Sequence, residues 1–428
     1  MAILLVSLFL LGYLAIAFES FISIGKATIA SVIAILLWTT LGLGTQNSPS
    51  LFSHLAMAFM ETFKIVLFLF GAMTIVALID LQGGFIPIGK ALTLLPKKYL
   101  VLAIGLFTFF LSAFLDNLTT TIVMATILNK MVRPQKTKWL LLGLVIIAAN
   151  AGGAFSPIGD ITTTMLWMGG QITPYQIMKQ TFLASLMSML LPALLIQWQL
   201  RGKIELNVLD EKIGKTEFNS THKNSILFTG MAGFLLIPIF KWFFDLPAYL
   251  GMLLVLGLMA LITLLLWNFV HPKKNEAFPF RQCLEKIDGG TLLFFFSILL
   301  AVAALDGAGI LPAMAIQLNK AVGNNLNLVA MGIGLFSSLV DNIPLIAAIQ
   351  HMYPLNNFPT DHYFWELLAY AAGTGGSCLL IGSAAGIAVM GMEQMDFLWY
   401  LKKISWIALI GFFSGLLIFL LQNNHLLK

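Results

Sequence analysis

The sequence carries little charge for its length. Of its 428 residues, 10% are charged and 59% are hydrophobic, whereas an average soluble domain is about 25% charged. A soluble fold could not bury that much apolar surface, so the composition excludes a soluble globular protein and predicts a polytopic membrane protein. Met1–Phe18 has no basic residue before it and no small-residue cleavage site after it. We therefore expect it to be the first spanning helix and not a leader peptide.

Other features are scarce or missing as well. Cys283 and Cys378 are the two cysteines, too few for a disulfide framework. The sequence contains no phosphate-binding loop and no nucleotide motif, which argues against transport driven directly by ATP. No cofactor and no nucleic-acid partner is predicted, and no tract suggests a soluble domain.

What the sequence does contain is a repeat. Three blocks occur twice, in the same order. The pairs are Ile75–Gly89 with Val302–Ile316, Ser112–Met124 with Ser337–Ile349, and Gly152–Ile161 with Gly375–Ala384. The spacing between copies is nearly constant and the rare acidic residues recur, which chance similarity between apolar segments would not produce. Paired repeats with Gly- and Pro-interrupted hydrophobic segments at matching places indicate a secondary transporter.

Two apolar stretches do not look like single membrane spans, which need roughly 20 apolar residues. These stretches, about 98–131 and 326–353, contain Asp116-Asn117 and Asp341-Asn342 near their middles. A central Asp facing lipid costs roughly 2.5–3.5 kcal/mol on insertion scales. We therefore predict two re-entrant hairpins that turn inside the protein. The remaining candidate spans are about 2–18, 27–44, 62–81, 139–169, 178–200, 225–243, 247–269, 290–306, 364–392 and 398–421.

The predicted fold is an all-α polytopic membrane protein built from two inverted repeats of five transmembrane helices. Each repeat has a re-entrant hairpin and a broken helix, and the odd number of crossings turns the second copy upside down. The predicted segments are the first repeat at 1–200, a cytoplasmic linker at 201–224, the second repeat at 225–428, and broken helices at about 139–169 and 364–392.

The distribution of positive charge predicts the orientation. With this arrangement most of the 24 Lys and Arg residues fall on one face, which the positive-inside rule makes cytoplasmic. The first hairpin, flanked by Lys98 and Arg133, then opens to the cytoplasm. The second, flanked by Asn324 and Asn357, opens to the outside, and both termini lie outside the inner (cytoplasmic) membrane.

Side chains with oxygen atoms cluster at the first hairpin turn and at the break of the first broken helix. Asp116 and Asn117 form the turn, and Asp160, Thr162 and Thr163 follow the break. Hard cations such as Na+ bind several oxygen ligands, often including carbonyls of unwound helices. The structural alternatives are that Asp116 and Asn117 cap the second hairpin arm and that the break is only a kink. A kink alone, however, would not require an aspartate at membrane depth.

Glycine and proline mark the two breaks, since both weaken helical hydrogen bonding or its stability. The break residues are Gly152, Gly153, Pro157 and Gly159 in the first copy and Gly375, Gly376 and Gly382 in the second. Ser383 occupies the position that corresponds to Asp160. Ser377 and Ser383 could supply neutral oxygen ligands or serve as small residues for helix packing.

Charge indicates the sign of the transported ion. The hairpin turns and helix breaks contain Asp116, Asp160 and Asp341 but no Lys, Arg or His, which favours Na+ binding at these carboxylates. Burial and like-charged neighbours make a carboxylate hold its proton more tightly. Protons and a metal cation can then compete for the same oxygens, which predicts cation/proton exchange.

Acidic residues elsewhere have simpler interpretations. Asp80 and Asp306 occupy corresponding helix ends and are interpreted as capping or hinge residues. Glu61, Glu366 and Glu393 are expected at interfaces with water.

Four sequence blocks resemble motifs of the NhaD-type Na+/H+ antiporters of the ion transporter superfamily. They are Leu115–Thr120, Asn150–Trp167, Ser337–Pro344 and Gly373–Glu393. The resemblance implies exchange of Na+, and often Li+, for H+, a scaffold with a moving transport part, and a homodimer. With Ser156 added from the first break, the predicted site residues are Asp116, Asn117, Asn150, Ser156, Asp160, Thr162, Thr163, Ser337, Asp341, Asn342, Ser377 and Ser383. Ala77 stands where the family leads us to expect an acidic residue.

Two other functions are compatible with parts of the sequence. An arsenite or dicarboxylate carrier of the same superfamily would share the backbone plan, but the three carboxylates argue against an anion site. An intramembrane aspartyl protease would need two aspartates in Tyr-Asp and Gly-x-Gly-Asp settings, which the sequence lacks. We therefore expect a carrier and not an enzyme.

Overall fold

Every element in the computed structural model is an α-helix. The structure describes residues 1–17, 24–44, 49–200, 204, 220–270, 280–339, 342–380 and 382–423. Most of the predicted linker at 201–224 lies outside these residues, and so does Asp341.

The helices of the first half match the predicted spans closely. They are α1 (Ala2–Ala17), α2 (Lys26–Gly44), α3 (Pro49–Leu81), α4 (Ile86–Thr93), α5 (Lys97–Leu115), α6 (Asn117–Met131), α7 (Gln135–Ala154), α8 (Ile161–Met168) and α9 (Pro174–Leu200). The helix α3 has 33 residues and starts earlier than predicted.

The second half contains eleven described helices. They are α10 (Ser220–Phe244), α11 (Ala248–Val270), α12 (Phe280–Glu285), α13 (Gly289–Gly307), α14 (Ile310–Ala321), α15 (Leu326–Phe336), α16 (Asn342–Met352), α17 (Tyr363–Gly375), α18 (Ala384–Glu393), α19 (Phe397–Lys403) and α20 (Ser405–Gln422). Among the described helices, nine are long and apolar enough to cross a membrane, as predicted for a polytopic membrane protein.

Helices are interrupted where the sequence predicts interruptions. In the first half, α5 gives way to α6 at Asp116, and α7 is separated from α8 by the segment 155–160. In the second half, gaps separate α15 from α16 and α17 from α18 at the corresponding places. The arms differ in length, however, since α5 has 19 residues and α15 has 11.

Most of the contacts between helices fall within two groups, although α13 of one group also packs on α16 of the other. The helices α5 to α9 pack with α15 to α18 and α20, and α2, α3, α10, α11 and α13 pack among themselves. Within the first group the two halves interlock. The helix α6 contacts α18, and α16 contacts α8, so the second arm of each predicted hairpin lies against the second half of the other copy's broken helix.

Equivalent hydrogen bonds tie each first arm to its broken helix. The Ser112 hydroxyl donates to the Ala149 carbonyl oxygen at 2.6 Å. The Ser337 hydroxyl donates to the Ala372 carbonyl oxygen at 3.0 Å. These four residues occupy matching positions in the two copies, so the sequence repeat is also a repeat of contacts.

Glycine lets the same helices touch through their main chains. A Cβ atom on Gly152 would lie 2.1 Å from the Phe109 carbonyl oxygen, and one on Gly375 would lie 2.0 Å from the Gly334 carbonyl oxygen. No side chain fits at such distances. The glycines predicted only to weaken the helices therefore also permit close packing of α5 on α7 and of α15 on α17.

Candidate functional site

The carboxylate of Asp160 lies at the centre of the first helix group, 3% exposed. Asp160 directly precedes α8, where a side chain often caps the helix, yet its carboxylate makes no cap hydrogen bond. The corresponding Ser383 does cap its helix, accepting from the Gly386 backbone N–H at 3.2 Å. The Asp160 carboxylate is therefore turned away from the helix end and toward other side chains.

Those side chains are two asparagine amides, one from each predicted hairpin. Asn117 Nδ2 donates to Asp160 Oδ1 at 3.2 Å, and Asn342 Nδ2 donates to Asp160 Oδ2 at 3.3 Å. The two asparagines are equivalent in the repeat. One carboxylate is thus contacted from both halves, one oxygen by each.

Two more predicted residues complete the cluster. The Thr162 hydroxyl donates to Asp160 Oδ2 at 2.6 Å. Asn150 Oδ1 accepts from Asn117 Nδ2 at 3.0 Å, and Asn150 Nδ2 donates to the Ser383 hydroxyl at 2.9 Å. The structure therefore brings together six of the predicted site residues through a continuous chain of hydrogen bonds. They are Asn117, Asn150, Asp160, Thr162, Asn342 and Ser383, which we call the Asp160 cluster.

Asp116 makes the capping contacts that were the structural alternative. Its carboxylate accepts from the Thr119 backbone N–H and from the Thr119 hydroxyl, each at 2.8 Å. Its backbone has φ 68° and ψ 157°, a region populated almost only by glycine and costing about 1–3 kcal/mol for other residues. Asp160 lies close enough for its charge to act on Asp116, so capping and a role beside the cluster are compatible.

The remaining predicted hydroxyls bond to backbone carbonyls. Ser156 donates to the Ala113 carbonyl oxygen at 2.6 Å, and Thr163 donates to the Asp160 carbonyl oxygen at 2.9 Å. Ser377 donates to the Thr374 carbonyl oxygen at 2.5 Å, and Ser337 was described above. These hydroxyls hold the interrupted segments in place around the cluster.

Asp341, the third predicted carboxylate, lies outside the described residues, although it precedes Asn342 directly. Within the described part of the chain, no three His, Cys, Asp or Glu side chains lie together. The oxygen atoms described around Asp160 therefore belong mostly to neutral amides and hydroxyls, a ligand set that suits an alkali cation better than a transition metal.

Two clefts lie at opposite ends of the long helix α3. One cleft of about 1280 Å³ is lined by Val76 and Asp80 of α3 and reaches Thr119 and Ala384, the neighbours of the cluster in sequence. The other, about 850 Å³, is lined by His54 and Glu61 at the opposite end of α3 and reaches Met165 and Ala347. At 1.5 Å per helical residue, Glu61 and Val76 are about 22 Å apart.

The first cleft has a basic mouth. Its lining includes Lys26, Lys90, Lys130, Lys223 and Lys286. This is the face on which the sequence places most of the positive charge.

Asp80 and Asp306 line the two different clefts. Asp80 pairs with Lys286 at 2.5 Å, and an Asp306 carboxylate oxygen lies 3.0 Å from His351 Nδ1. Each contact joins two helical segments outside the Asp160 cluster.

The expectation that Glu366 lies at an interface with water is wrong. Its side chain is 1% exposed, because α17 is surrounded by other helices. Glu393 is paired with Lys138 at 2.7 Å, whereas Glu61 is exposed as expected. Sequence reasoning missed Glu366 although it falls within the predicted broken helix, where an acid should have been counted with the other intramembrane carboxylates.

Comparison with known proteins agrees with the motifs. A sequence model of the citrate transporter family, CitMHS, matches residues 13–375. Sodium/proton antiporter 1 of Arabidopsis thaliana is 40% identical over 97% of this chain and 72% of its own length. Sodium/proton antiporter 2 of the same plant is 39% identical over 97% of this chain and 99% of its own length.

A bacterial relative carries the family name suggested by the motifs. The Na+/H+ antiporter NhaD of Vibrio cholerae is 29% identical over 98% of this chain and 91% of its own length. The resemblance to NhaD-type antiporters is thereby confirmed over nearly the whole sequence. The chain therefore belongs to the citrate transporter family, and it is similar to NhaD-type antiporters over nearly its whole length.

Proposed function

We propose that the protein exchanges Na+ for H+ across a membrane and that Na+ and H+ compete for the Asp160 cluster. The single observation that carries this proposal is the meeting of Asn117 and Asn342, from equivalent turns, on the one carboxylate of Asp160. The names of the relatives support the choice of ions. The cluster has negative charge and no basic side chain among its six members, so it favours a cation.

Rotation of the two amides provides a route for the exchange. Both asparagines present their NH2 groups to Asp160. Turning each amide would present its carbonyl oxygen instead, because an amide has a donor and an acceptor at opposite positions. With the Thr162 hydroxyl and the carboxylate, these oxygens would surround Na+ with neutral and charged ligands of the type that hard cations prefer.

Protonation of Asp160 would release the cation. A neutral carboxylic acid is a much weaker cation ligand, and burial favours the protonated form of a carboxylate over the charged form. We propose that Asp116 and Asp341 contribute to the same competition from the two turns, and that Na+ is bound among the three carboxylates. Binding one cation would then displace at least one proton.

The two clefts suggest alternating access. In the proposed orientation, the basic cleft opens to the cytoplasm and the other to the outside. Movement of α5–α9 with α15–α18 and α20 against the α3-containing group would close one cleft while the other opens. Inverted repeats with one re-entrant hairpin each would supply two related conformations.

Several finer points belong to the same proposal. The protein would lie in the inner membrane with both termini outside, form a homodimer and also accept Li+, which resembles Na+ in charge and hardness. The linker at 201–224 would be cytoplasmic. Because Ala77 stands where an acidic residue is expected, no carboxylate at position 77 would bind the cation. Its proposed ligands would be the Asp160 cluster, Asp116 and Asp341.

Everted membrane vesicles containing the protein test the function. A pH gradient is first formed by respiration and reported by a fluorescent dye, and NaCl, LiCl or KCl is then added. We expect Na+ and Li+ to dissipate the gradient and vesicles lacking the protein to show no response. No response to Na+ at any pH from about 6 to 10 would contradict the proposal.

The same vesicles test the anion alternative, which the family description as citrate transporters makes relevant. Radiolabelled citrate and arsenite uptake are measured beside the cation response. We expect neither anion to accumulate. Uptake of citrate that depends on Asp160, without a Na+-dependent proton flux, would replace the exchanger with an anion carrier.

A further inference from the structure

A buried carboxyl group lies apart from the Asp160 cluster. Glu366, in the first turn of α17, is 1% exposed. Apart from its own backbone N–H, no described group lies within hydrogen-bonding distance of either carboxyl oxygen. An ionised carboxylate in such surroundings is far more costly than its protonated form. Ionisable groups inside membrane-spanning bundles mark ion or proton pathways more often than they serve packing.

The position of Glu366 on α17 connects it with the cluster. Gly373 follows seven residues later, on the same helix face, and about 10.5 Å further along the axis. A Cβ atom on Gly373 would lie 3.6 Å from Asp160 Oδ2. The face that carries Glu366 at one end therefore contacts the Asp160 carboxylate two turns further on.

The other end of this face leads toward the loop that precedes α17. Asp361 in that loop is half-buried, and its charge acts on Glu366. It accepts from the Thr173 backbone N–H at 2.6 Å and from the Thr173 hydroxyl at 2.8 Å. Three carboxyl groups thus follow one another from the loop to the centre: Asp361, Glu366 and Asp160.

No described side chain makes a hydrogen bond to the Glu366 carboxyl group. The ionisable side chains on the helices packed against α17, with those flanking Glu366, are Lys136, Lys138, Asp160, Tyr175, Lys179, His351, Asp361, His362, Tyr363 and Tyr370. None of them makes a described hydrogen bond or ion pair with Glu366.

We propose that Glu366 is a second proton-binding site, separate from the cation cluster, and that it carries one transported proton per cycle. The proposal rests on the proposed Na+/H+ exchange. The Glu366 carboxylate binds a proton that enters from the side of Asp361. It keeps this proton while the cation site switches its access from one side of the membrane to the other. It releases the proton when Na+ is transported in the opposite direction. No covalent bond other than the O–H bond of the acid forms or breaks.

A structural role for Glu366 makes a different prediction. An acidic residue in the first turn of a helix is stabilised by the helix dipole, and Gln would preserve the size and much of the packing. Removing a structural acid would change stability or the overall rate, but it would leave the number of protons exchanged per Na+ unchanged.

The proton-to-sodium ratio tests the proposal. Purified wild-type protein, Glu366→Gln and the control Glu285→Gln, at an exposed residue that lines neither cleft, are reconstituted in liposomes. At a fixed pH gradient and membrane voltage, the Na+ gradient at which net flux stops is measured, and 22Na+/Na+ exchange is recorded separately. We expect Glu366→Gln to retain Na+/Na+ exchange and to couple one proton fewer per Na+, with Glu285→Gln matching wild type.

The outcomes are distinguishable. If wild type exchanges Na+ for H+ and Glu366→Gln keeps the wild-type ratio, the Glu366 proposal fails and the proposed function stands. If wild type shows no Na+/H+ exchange, both fail. If Glu366→Gln is inactive in both assays, the proton-to-sodium ratio of Glu366→Asp is measured instead, because this variant retains a carboxyl group. Recovery of the wild-type ratio by Glu366→Asp supports the proposal, and an inactive or altered Glu366→Asp overturns it.

Discussion

At the scale of single residues, the cluster depends on one charge. Asn117, Asn150, Thr162, Asn342 and Ser383 are neutral, so Asp160 supplies the negative charge that the described cluster offers to a cation. Its orientation is specific, because it makes no cap hydrogen bond with α8 while its two oxygens accept from opposite halves of the protein.

We predict that Asp160→Asn abolishes Na+-dependent proton exchange while the protein remains folded and inserted. The substitution preserves size but removes the charge and the titratable proton. The loss should exceed the roughly 10–100-fold effect of removing a supporting group around a metal site. Exchange is measured in everted vesicles, with exposed Asp396→Asn as the control. Normal exchange by Asp160→Asn would leave Asp160 with a structural role only.

Asp341 allows a prediction about pH. Like charges close together cannot all ionise easily, so removing one lets its neighbours release their protons at lower pH. We predict that Asp341→Asn raises the apparent Na+ constant and moves the activity profile to lower pH. Rates are measured across pH at several Na+ concentrations. An unchanged affinity together with an unchanged profile would place Asp341 outside the site.

Much of the residue-level site could be predicted, and the reasons are physical. Asp160, Asn117 and Asn342 are polar groups in apolar stretches, which is costly without a function, so sequence alone identifies them. Their hydrogen-bond partners depend on how two distant halves pack. Sequence could not predict that Ser156 and Ser377 bond to carbonyls or that Glu366 is buried without a described partner other than its own N–H.

At the scale of elements, the helix interruptions were predictable because Gly, Pro and Asp-Asn mark them. The unequal lengths of α5 and α15 were not predictable, because the sequences at the two predicted turns are alike. Sequence shows where a turn lies but not where a helix begins in an apolar run. The close main-chain contacts could not be predicted either. In the sequence, a glycine that weakens a helix cannot be distinguished from one that permits close packing of another helix.

These contacts predict a pair of destabilising substitutions. Gly152→Ala and Gly375→Ala would each place a methyl group against a carbonyl oxygen, and overpacking typically costs about 1–3 kcal/mol. Gly332→Ala on α15 is the control, since no atom lies within 4 Å of its Cβ position. The thermal unfolding temperature of the purified protein should fall for Gly152→Ala and Gly375→Ala and stay unchanged for Gly332→Ala. Equal stability of all three would contradict the described packing.

The proposed hairpins predict opposite accessibility of two exposed positions. Single cysteines replace Lys98 and Asn357 in a background lacking Cys283 and Cys378, and an impermeant thiol reagent is added outside intact cells. We expect labelling at position 357 and none at 98. Labelling at 98 alone, or at both positions, would overturn the inverted arrangement.

Cys283 should interfere little even if it is retained. Burial raises the pKa of its thiol to about 11. The reactive species is the thiolate, so at neutral pH this cysteine should label slowly. In everted vesicles, where the proposed cytoplasmic face is accessible to the reagent, raising the pH toward that value should increase the labelling of Cys283.

At the scale of the whole molecule, two clefts lie at opposite ends of α3, and one cluster is shared by both halves. This arrangement follows from duplication: two copies with equivalent contacts, Ser112 to Ala149 and Ser337 to Ala372, meet on a carboxylate present in only one of them. Sequence predicted the duplication and the charge asymmetry of Asp160 and Ser383. The clefts arise from packing between helix groups, which no local pattern encodes.

The central claim is that Na+ and protons compete for the Asp160 cluster. The most direct measurement is proton release when NaCl is added to purified protein in a weakly buffered detergent solution, compared between wild type and Asp160→Asn. We predict that wild type releases at least about one proton per bound Na+ and that Asp160→Asn releases fewer protons. Na+ binding by wild type without proton release, or equal release by Asp160→Asn, would contradict it.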